Sequence, residues 1–307
     1  MHAYDSYMNK LLQTLLEFHA AAGGTAILLS ATLPDQVRQA FADAFDRGMD
    51  LESPSLELSA FPLVTRAGAI PGDASREYRL PTEESSNSRS GHVVNVEFSH
   101  SEEDVVSRLV EAADAGKCAC WIRNTVTDAR DGYDLLADSI ADERLDLFHS
   151  RFARNDRAAI ERDVLDRFGK EGGEDERSGR IVVATQVIEQ SLDLDFDFMV
   201  SDLAPVDLLI QRAGRLHRHA RDVNGRLLDG RGTDQRERGT LMVHAPEFTE
   251  SPAEDWFESK FPGPAYVYPD AGKLWLTMRI LRRQEGIRIP EEARLLVESV
   301  YGEEAQI

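Results

Sequence analysis

Between His92 and His244 short apolar runs recur, each followed by a stretch with helical spacing. That alternation restricts this part of the chain to a parallel sheet covered by helices on both faces. HVVNVEF (92–98) alternates like a strand, and Ser101 with Asp104 resembles a capping box ahead of Val105, Val106, Leu109 and Val110. Cys118–Ile122 reads as the next strand, followed by a helix through about Ile140, a strand at Leu145–Phe148 and a helix from about Arg154 to Phe168. Then come a charged loop GKEGGEDERSG, a strand at 180–185, a short helix at 186–191, a strand at Phe198–Leu203, a helix at 206–216 and a strand at Thr240–His244.

The flanks are less regular. Tyr7 to Ala22 has the apolar spacing of a helix, TAILL (25–29) reads as a strand, and Pro34 suits the first turn of a helix reaching about Phe45. A second strand near Leu56–Leu58 is a weaker reading. Residues 66–91 are polar, rich in Gly, Pro and Ser, and aperiodic, which reads as a connector. Beyond Ala245 repeated prolines break the rhythm, with helices expected at Lys273–Glu285 and Pro290–Tyr301. The division expected is 1–65, a connector 66–91, a main α/β domain 92–245, and the start of an accessory region at 246–307.

No apolar run approaches the roughly 20 residues that a membrane span needs, and the N-terminal sequence is not a secretory signal, so a cytoplasmic protein without a membrane partner is expected. Cys118 and Cys120, two apart on a strand, point to one face as small buried hydrophobes. The net charge of −20 argues against a protein that coats duplex nucleic acid. Yet Arg212, Arg215, Arg218, Arg221, Arg226, Arg231, Arg236 and Arg238 form a cationic strip, able to hold phosphates or simply to lie solvated among ion pairs.

The chemistry concentrates in ATQVIEQSLDLDFD (184–197) and LLIQRAGRLHRH (208–219). The first follows a buried strand, so Thr185, Gln186 and Asp193 lie at or beyond its carboxyl end, where doubly wound sheets bind ligands. The second carries Gln211, Arg212, Arg215 and Arg218; arginines three apart on a helix share a face, and converging guanidiniums can clamp a polyphosphate bidentately. Arg212 is as well suited to an ion pair within the domain as to a ligand. His217 and His219 form an H-x-H with no third ligand cluster, so no metal site is expected. The sequence contains no G-x-x-x-x-G-K-[S/T] phosphate loop.

SATLP (30–34), RNTV (123–126), HSRF (149–152), ATQVIEQSLDLDFD and QRAGRLHRH occur in the order of motifs III to VI of superfamily 2 helicases, and the wording is most similar to the helicase–nuclease of type I CRISPR systems. His2-Ala3-Tyr4-Asp5 resembles the end of that family's motif II. The resemblance, over about 2–245, implies a RecA-like doubly wound parallel sheet, the second helicase lobe, preceded by an incomplete piece of the first lobe.

It also implies roles. Arg215 and Arg218 would reach the γ-phosphate with Gln211 close by, and Asp193 would meet the nucleotide ribose. Thr185, Arg123, Asn124 and Arg151 would hold the sugar–phosphate backbone, and Ser30 and Thr32 would couple nucleotide state to lobe closure. ATP and Mg²⁺ are implied for the intact enzyme but not for these residues alone, because the phosphate loop and the motif II acids belong to an upstream segment. The implied partners are single-stranded DNA, the rest of the first lobe, a nuclease domain and a guide-RNA surveillance complex. The activity expected is an ATP-dependent single-stranded DNA translocase. The alternatives are a non-catalytic binding remnant or split subunit, and another superfamily 2 enzyme acting on RNA.

Overall fold

The computed structural model describes residues 6–30, 33–58, 63–69, 76–79, 92–189, 192–228, 232–284, 286–289, 292–302 and 305. The His2–Asp5 resemblance, Thr32 and Arg231 lie outside these. The chain divides into two units, Met1–Ser85 with Glu291–Ile307, and Ser86–Pro290.

In the first unit, α1 (Ser6–Ala21) ends where Gly23 takes φ +78°, a left-handed value that glycine adopts without steric cost at a helix end. Its Leu16 packs with Phe41 and Ala44 of α2 (Asp35–Gly48), with Leu12, Leu33, Val37 and Phe45 around them. The expected strand 25–29 does not form: the segment is extended, it pairs with no strand, and Ile27 and Leu29 are 85% and 81% exposed. A parallel strand needs neighbours on which to complete its ladder, and no described strand lies beside this one. Nor is there a strand at Leu56–Leu58. Instead β1 (Leu63–Thr65) pairs antiparallel with β2 (Glu77–Arg79), so part of the expected connector belongs to this unit. The buried Asp46 carboxylate ties that ribbon to α2, accepting from the Gly68 amide (2.5 Å) and from Arg76 Nη1 (2.6 Å).

The second unit is built on a seven-stranded sheet. In chain order it comprises β3 (His92–Ser99), α3 (Glu102–Asp114), β4 (Ala119–Ile122), α4 (Val126–Ala137), β5 (Leu145–Phe148), α5 (Arg154–Phe168), α6 (Glu174–Arg177), β6 (Ile181–Ala184), β7 (Phe198–Asp202), α7 (Val206–Ala213), β8 (Thr240–His244), α8 (Pro262–Val267), α9 (Ala271–Arg282) and β9 (Gly286–Ile289). The strand order is β5-β6-β4-β7-β8-β3-β9, parallel throughout except for β9, which lies antiparallel on β3. Ser101 caps α3 as its sequence signals, accepting from the Asp104 amide at 3.2 Å, and Thr125 caps α4 in the same way at 3.0 Å.

The central strands are buried on both faces, which is why they read as continuous apolar runs. Ala119, Trp121, Ile181, Val183, Phe198 and Val200 pack with Val105, Leu109, Ala129 and Leu136 of α3 and α4. Cys118 and Cys120 are free thiols with no exposed surface; burial pushes Cys118 up to about 12 and Cys120 well above its ordinary value. The expected accessory region is divided: α9 and β9 extend the second unit, while α10 (Ala293–Tyr301) packs in the first, where Glu298 Oε1 accepts from the Asp35 amide at 2.9 Å.

Candidate functional site

Strand register assembles the site. Ile122, Ala184 and Ser201 are paired across β4, β6 and β7, Phe148 is paired with Ala184, and Asp202 with His244. The residues just beyond this row, His149, Thr185 and Arg123, therefore emerge together with Asp202 and His244 along the carboxyl edge of the sheet, where such folds bind ligands.

Two of the expected backbone contacts are consumed internally. Arg123 is 3% exposed; its Nε donates to Asp202 Oδ2 (2.9 Å), its Nη2 to Glu102 Oε1 (2.7 Å), and its guanidinium stacks 4.4 Å from the Trp121 ring centre. Burial works against its charge, but Asp202 and Glu102 hold its pKa above the ordinary value. Asn124 is 2% exposed, with its amide nitrogen bound to Leu203 O at 2.8 Å. Expected as side chains gripping a strand, both are instead committed to the lobe, because the end of β4 lies beside the end of β7 and its acid. A cavity of about 370 Å³ opens next to them, lined by Glu102, Asp128, Phe261 and His244 among others, and Arg123 Nη1 and His244 Nε2 have no hydrogen-bond partner there.

Arg151 is placed differently. His149 stacks on Phe152 at 4.1 Å and accepts from the Arg151 amide at 3.2 Å, which leaves the Arg151 side chain exposed on a stiffened turn. Thr185 directly follows β6 at 3% exposure, its amide bonded to Phe148 O at 3.1 Å, and a turn of 3₁₀ helix (Gln186–Glu189) comes next.

The arginine cluster departs from its helical reading. The expected helix 206–216 stops at Ala213, and His217 takes φ +46°, so the arginines do not share one helix face. Arg212 turns inward with no exposed surface, donating to Glu189 (2.7 Å) and Ser201 (2.6 Å). Arg215 and Arg218 are positioned by backbone pairing: the Phe196 amide bonds Arg215 O at 2.9 Å and the His217 amide bonds Phe196 O at 3.0 Å. This lays the 215–218 turn along the LDLDFD segment. Arg215 Nη2 donates to Glu189 O at 2.9 Å, while its Nε is buried without a partner. Arg218, with 29% of its side chain exposed, pairs with the half-exposed Asp193, and His219 lies within 3.1 Å of the same carboxylate. Burial and the neighbouring Arg218 cation lower the Arg215 pKa; burial raises that of Asp193, but His219 and Arg218 outweigh it and hold it low. Gln211 sits half-buried on α7, four residues before Arg215, and Ser30 is exposed in the first unit.

Sequence reasoning missed a second cluster just behind. Asp195 has no exposed surface and accepts from Arg221 Nε (2.6 Å), Arg236 Nη1 (3.3 Å) and the Arg218 amide (2.9 Å), with Arg177 at 3.9 Å. Burial opposes its ionisation, yet these cations hold its pKa below the carboxylate range. Arg221 also caps the carbonyls of Gly169, Lys170 and Gly172. Much of the presumed phosphate-holding strip is thus interior scaffold. The signal was the alternation L-D-L-D-F-D, with the apolar partners Leu192, Leu194 and Phe196 all buried. Among the described residues no group of three or more His, Cys, Asp or Glu could hold a metal ion, and no helix is long and apolar enough to cross a membrane.

A mostly parallel α/β sheet with a hydroxyl, an acid and paired guanidiniums at its carboxyl edge is a RecA-like helicase lobe. Residues 115–221 match the family model of the C-terminal part of the CRISPR-associated nuclease/helicase Cas3. The chain is 36% identical over 298 residues to the CRISPR-associated endonuclease/helicase Cas3 of Escherichia coli, covering 90% of this chain and 31% of that protein. It is 30% identical to the Thermus thermophilus protein of the same description, covering 98% of this chain and 34% of that one. Among solved structures, a CRISPR-associated protein superposes with TM-score 0.81 at 36% identity, covering 99% of this chain and 31% of that one. The ATP complex of T. fusca Cas3 superposes with TM-score 0.77 at 31% identity, covering 99% and 34%. The chain is similar to these CRISPR-associated helicase–nucleases along nearly all of its own length and spans about a third of theirs.

Proposed function

We infer that the second unit is the arginine-bearing lobe of an ATP-driven translocase on single-stranded DNA in CRISPR defence. The observation that carries this reading is Arg215: its guanidinium is half-buried beside a second cation, with Nε unpartnered. An anion between Arg215 and Arg218 would relieve that repulsion and satisfy the open donor. The residues fit a nucleoside triphosphate: Arg215 and Arg218 toward its terminal phosphate, Gln211 alongside, and Asp193 toward the ribose hydroxyls. Bound ATP supplies the phosphoryl group whose transfer to water drives movement. Among the described residues no cluster of three or more His, Cys, Asp or Glu is present to hold Mg²⁺, which this reading leaves to the segment that supplies the phosphate loop. Arg215 and Arg218 stabilise charge that develops on the transferring phosphate, a contribution worth about 10³–10⁵ in rate for such arginines.

Thr185 and the exposed Arg151 are the strand contacts in this reading, with Arg123 and Asn124 positioning the edge through Asp202. Ser30 and Thr32 couple nucleotide state to closure. One solved relative of TM-score 0.72 is described as a CRISPR RNA-guided surveillance complex before nicking, which supports recruitment by such a complex. The 307 residues hold no phosphate loop, so DNA-stimulated ATP hydrolysis should be absent alone and appear when a chain supplying one is added. Arg215→Ala and Arg218→Ala should then each cost about 10³-fold or more. Hydrolysis by the 307 residues alone, or full rates in both variants, would overturn the reading.

A further inference from the structure

The second unit carries a group of aromatic and basic residues, none of them in the motifs above, whose basic members run against the charge of the chain. Against a net −20, residues 273–288 hold Lys273, Arg279, Arg282, Arg283 and Arg288 with one acid, Glu285; Lys273 pairs with Asp270 at 3.0 Å, and the loop bearing Phe248 carries Glu247 and Glu250. On α9, Trp275, Arg279 and Arg282 fall at spacings of four and three, and so lie on one face. Phe248, from the loop after β8, is laid flat on Trp275, with ring centroids 5.6 Å apart and planes 16° apart. The Arg279 guanidinium lies 4.7 Å from the Trp275 ring centre and that of Arg282 4.8 Å from Phe248. Trp275 Nε1 donates to Thr249 O at 2.7 Å and Trp256 Nε1 to Glu247 O at 3.0 Å, so the loop bearing Phe248 is pinned on both sides.

Elsewhere the chain's abundant acids take up its arginines: Arg108 pairs with Glu97, Arg167 with Asp146 and Arg226 with Glu174. Arg279, Arg282 and Arg283 make no such pair among the described residues, so ring faces rather than carboxylates orient the first two. A guanidinium held flat on a ring is pre-organised, its in-plane N–H donors are open, and it loses less freedom on binding an anion. The anion that suits it is planar in its demands and repeated along a chain. Phosphodiesters meet bidentate donors, and bases can stack on the outer guanidinium faces. An acidic peptide would use the charge but leave the stacked planes unused.

We propose that Phe248, Trp275, Arg279 and Arg282 form a phosphodiester-binding face for single-stranded nucleic acid, separate from the motif residues. It rests on the nucleic-acid reading of the second unit. The test is fluorescence anisotropy of a labelled 20-nucleotide oligo-dT titrated with the full chain across a salt series. Arg279→Ala/Arg282→Ala should weaken binding about tenfold or more and make the log–log salt slope shallower by about 1.4, the share of two phosphate contacts on a single strand. Arg279→Lys/Arg282→Lys, which keeps charge but not planarity, should fall between, and it decides the matter if the alanine pair fails to fold. Wild-type affinity and slope in both pairs, with Arg151→Ala still weakening the complex, would overturn this face and leave the proposed function standing. No oligo-dT binding by the wild type at low salt would overturn it too, and binding of poly-glutamate in its place would reassign the patch to an acidic protein.

Discussion

The two units solve the burial problem in opposite ways. In the second, every central strand has neighbours on both sides and helices on both faces, so Trp121, Val183 and Val200 keep no exposed surface. Its buried acid Asp195 is met by the guanidiniums of Arg221 and Arg236. In the first, the core is a small cluster around Leu16, Phe41 and Ala44, and an open cavity of about 880 Å³ lined by Leu28, Leu29 and Val64 remains beside it. Apolar residues alone do not make a core; a strand such as 25–29 buries its side chains only when a sheet receives it.

The largest test of this contrast is Asp195→Ala, which strands three guanidiniums beside a vacated site. A loss of about 3–5 kcal/mol is expected, in line with breaking a buried pair. All three tryptophans (Trp121, Trp256, Trp275) lie in the second unit, so urea unfolding followed by their fluorescence isolates its stability. A change under about 1 kcal/mol would show the cluster to be ornamental.

Acid should act on the same unit. Burial, and then the Arg236 cation, lower the pKa of His217 to about 4. Its folded pKa lies below the unfolded value of about 6.5, so the unfolded chain binds the proton first and stability drains as pH falls from about 6.5 toward 4, by up to roughly 3 kcal/mol. Asp195 and Asp202, whose folded pKa values are also lowered, retain their contributions until pH drops below about 4. The urea midpoint at pH 7, 5.5 and 4 measures this, and His217→Gln should flatten the upper part of the profile. A midpoint rising with acid would refute it.

The smallest effect belongs to the first unit. Leu29→Ser should change stability by less than about 0.5 kcal/mol, since the side chain is already 81% exposed, while reducing self-association seen by light scattering. Limited proteolysis of the wild type should cut within 25–30 before 92–245. Early cuts throughout the second unit, with 6–58 intact, would reverse the comparison.

What the sequence revealed follows the same division. The strands of the second unit were legible because burial on both faces writes itself as unbroken apolar runs, and the caps at Ser101 and Asp104 are local chemistry. TAILL carries the same apolar signature without a sheet to enter, and composition cannot distinguish the two. Position past a strand end located Asp193 and Thr185. The fates of Arg123, Arg212, Arg221 and Arg236 depended on which strand end or loop lies alongside which, information held in strand order rather than in spacing. The family motifs single out Arg215 and Arg218, but the helix expected to align them ends at Ala213.

The pairing of Phe196 with the 215–217 backbone makes the half-buried guanidiniums and the buried aspartate one mechanical piece. The Asp195 carboxylate accepts from the Arg218 amide, while the Arg218 guanidinium pairs with Asp193 two residues earlier. The turn that carries Arg218 is therefore laced to the backbone leading into β7 rather than left as a loose loop, so a shift of one entails a shift of the other.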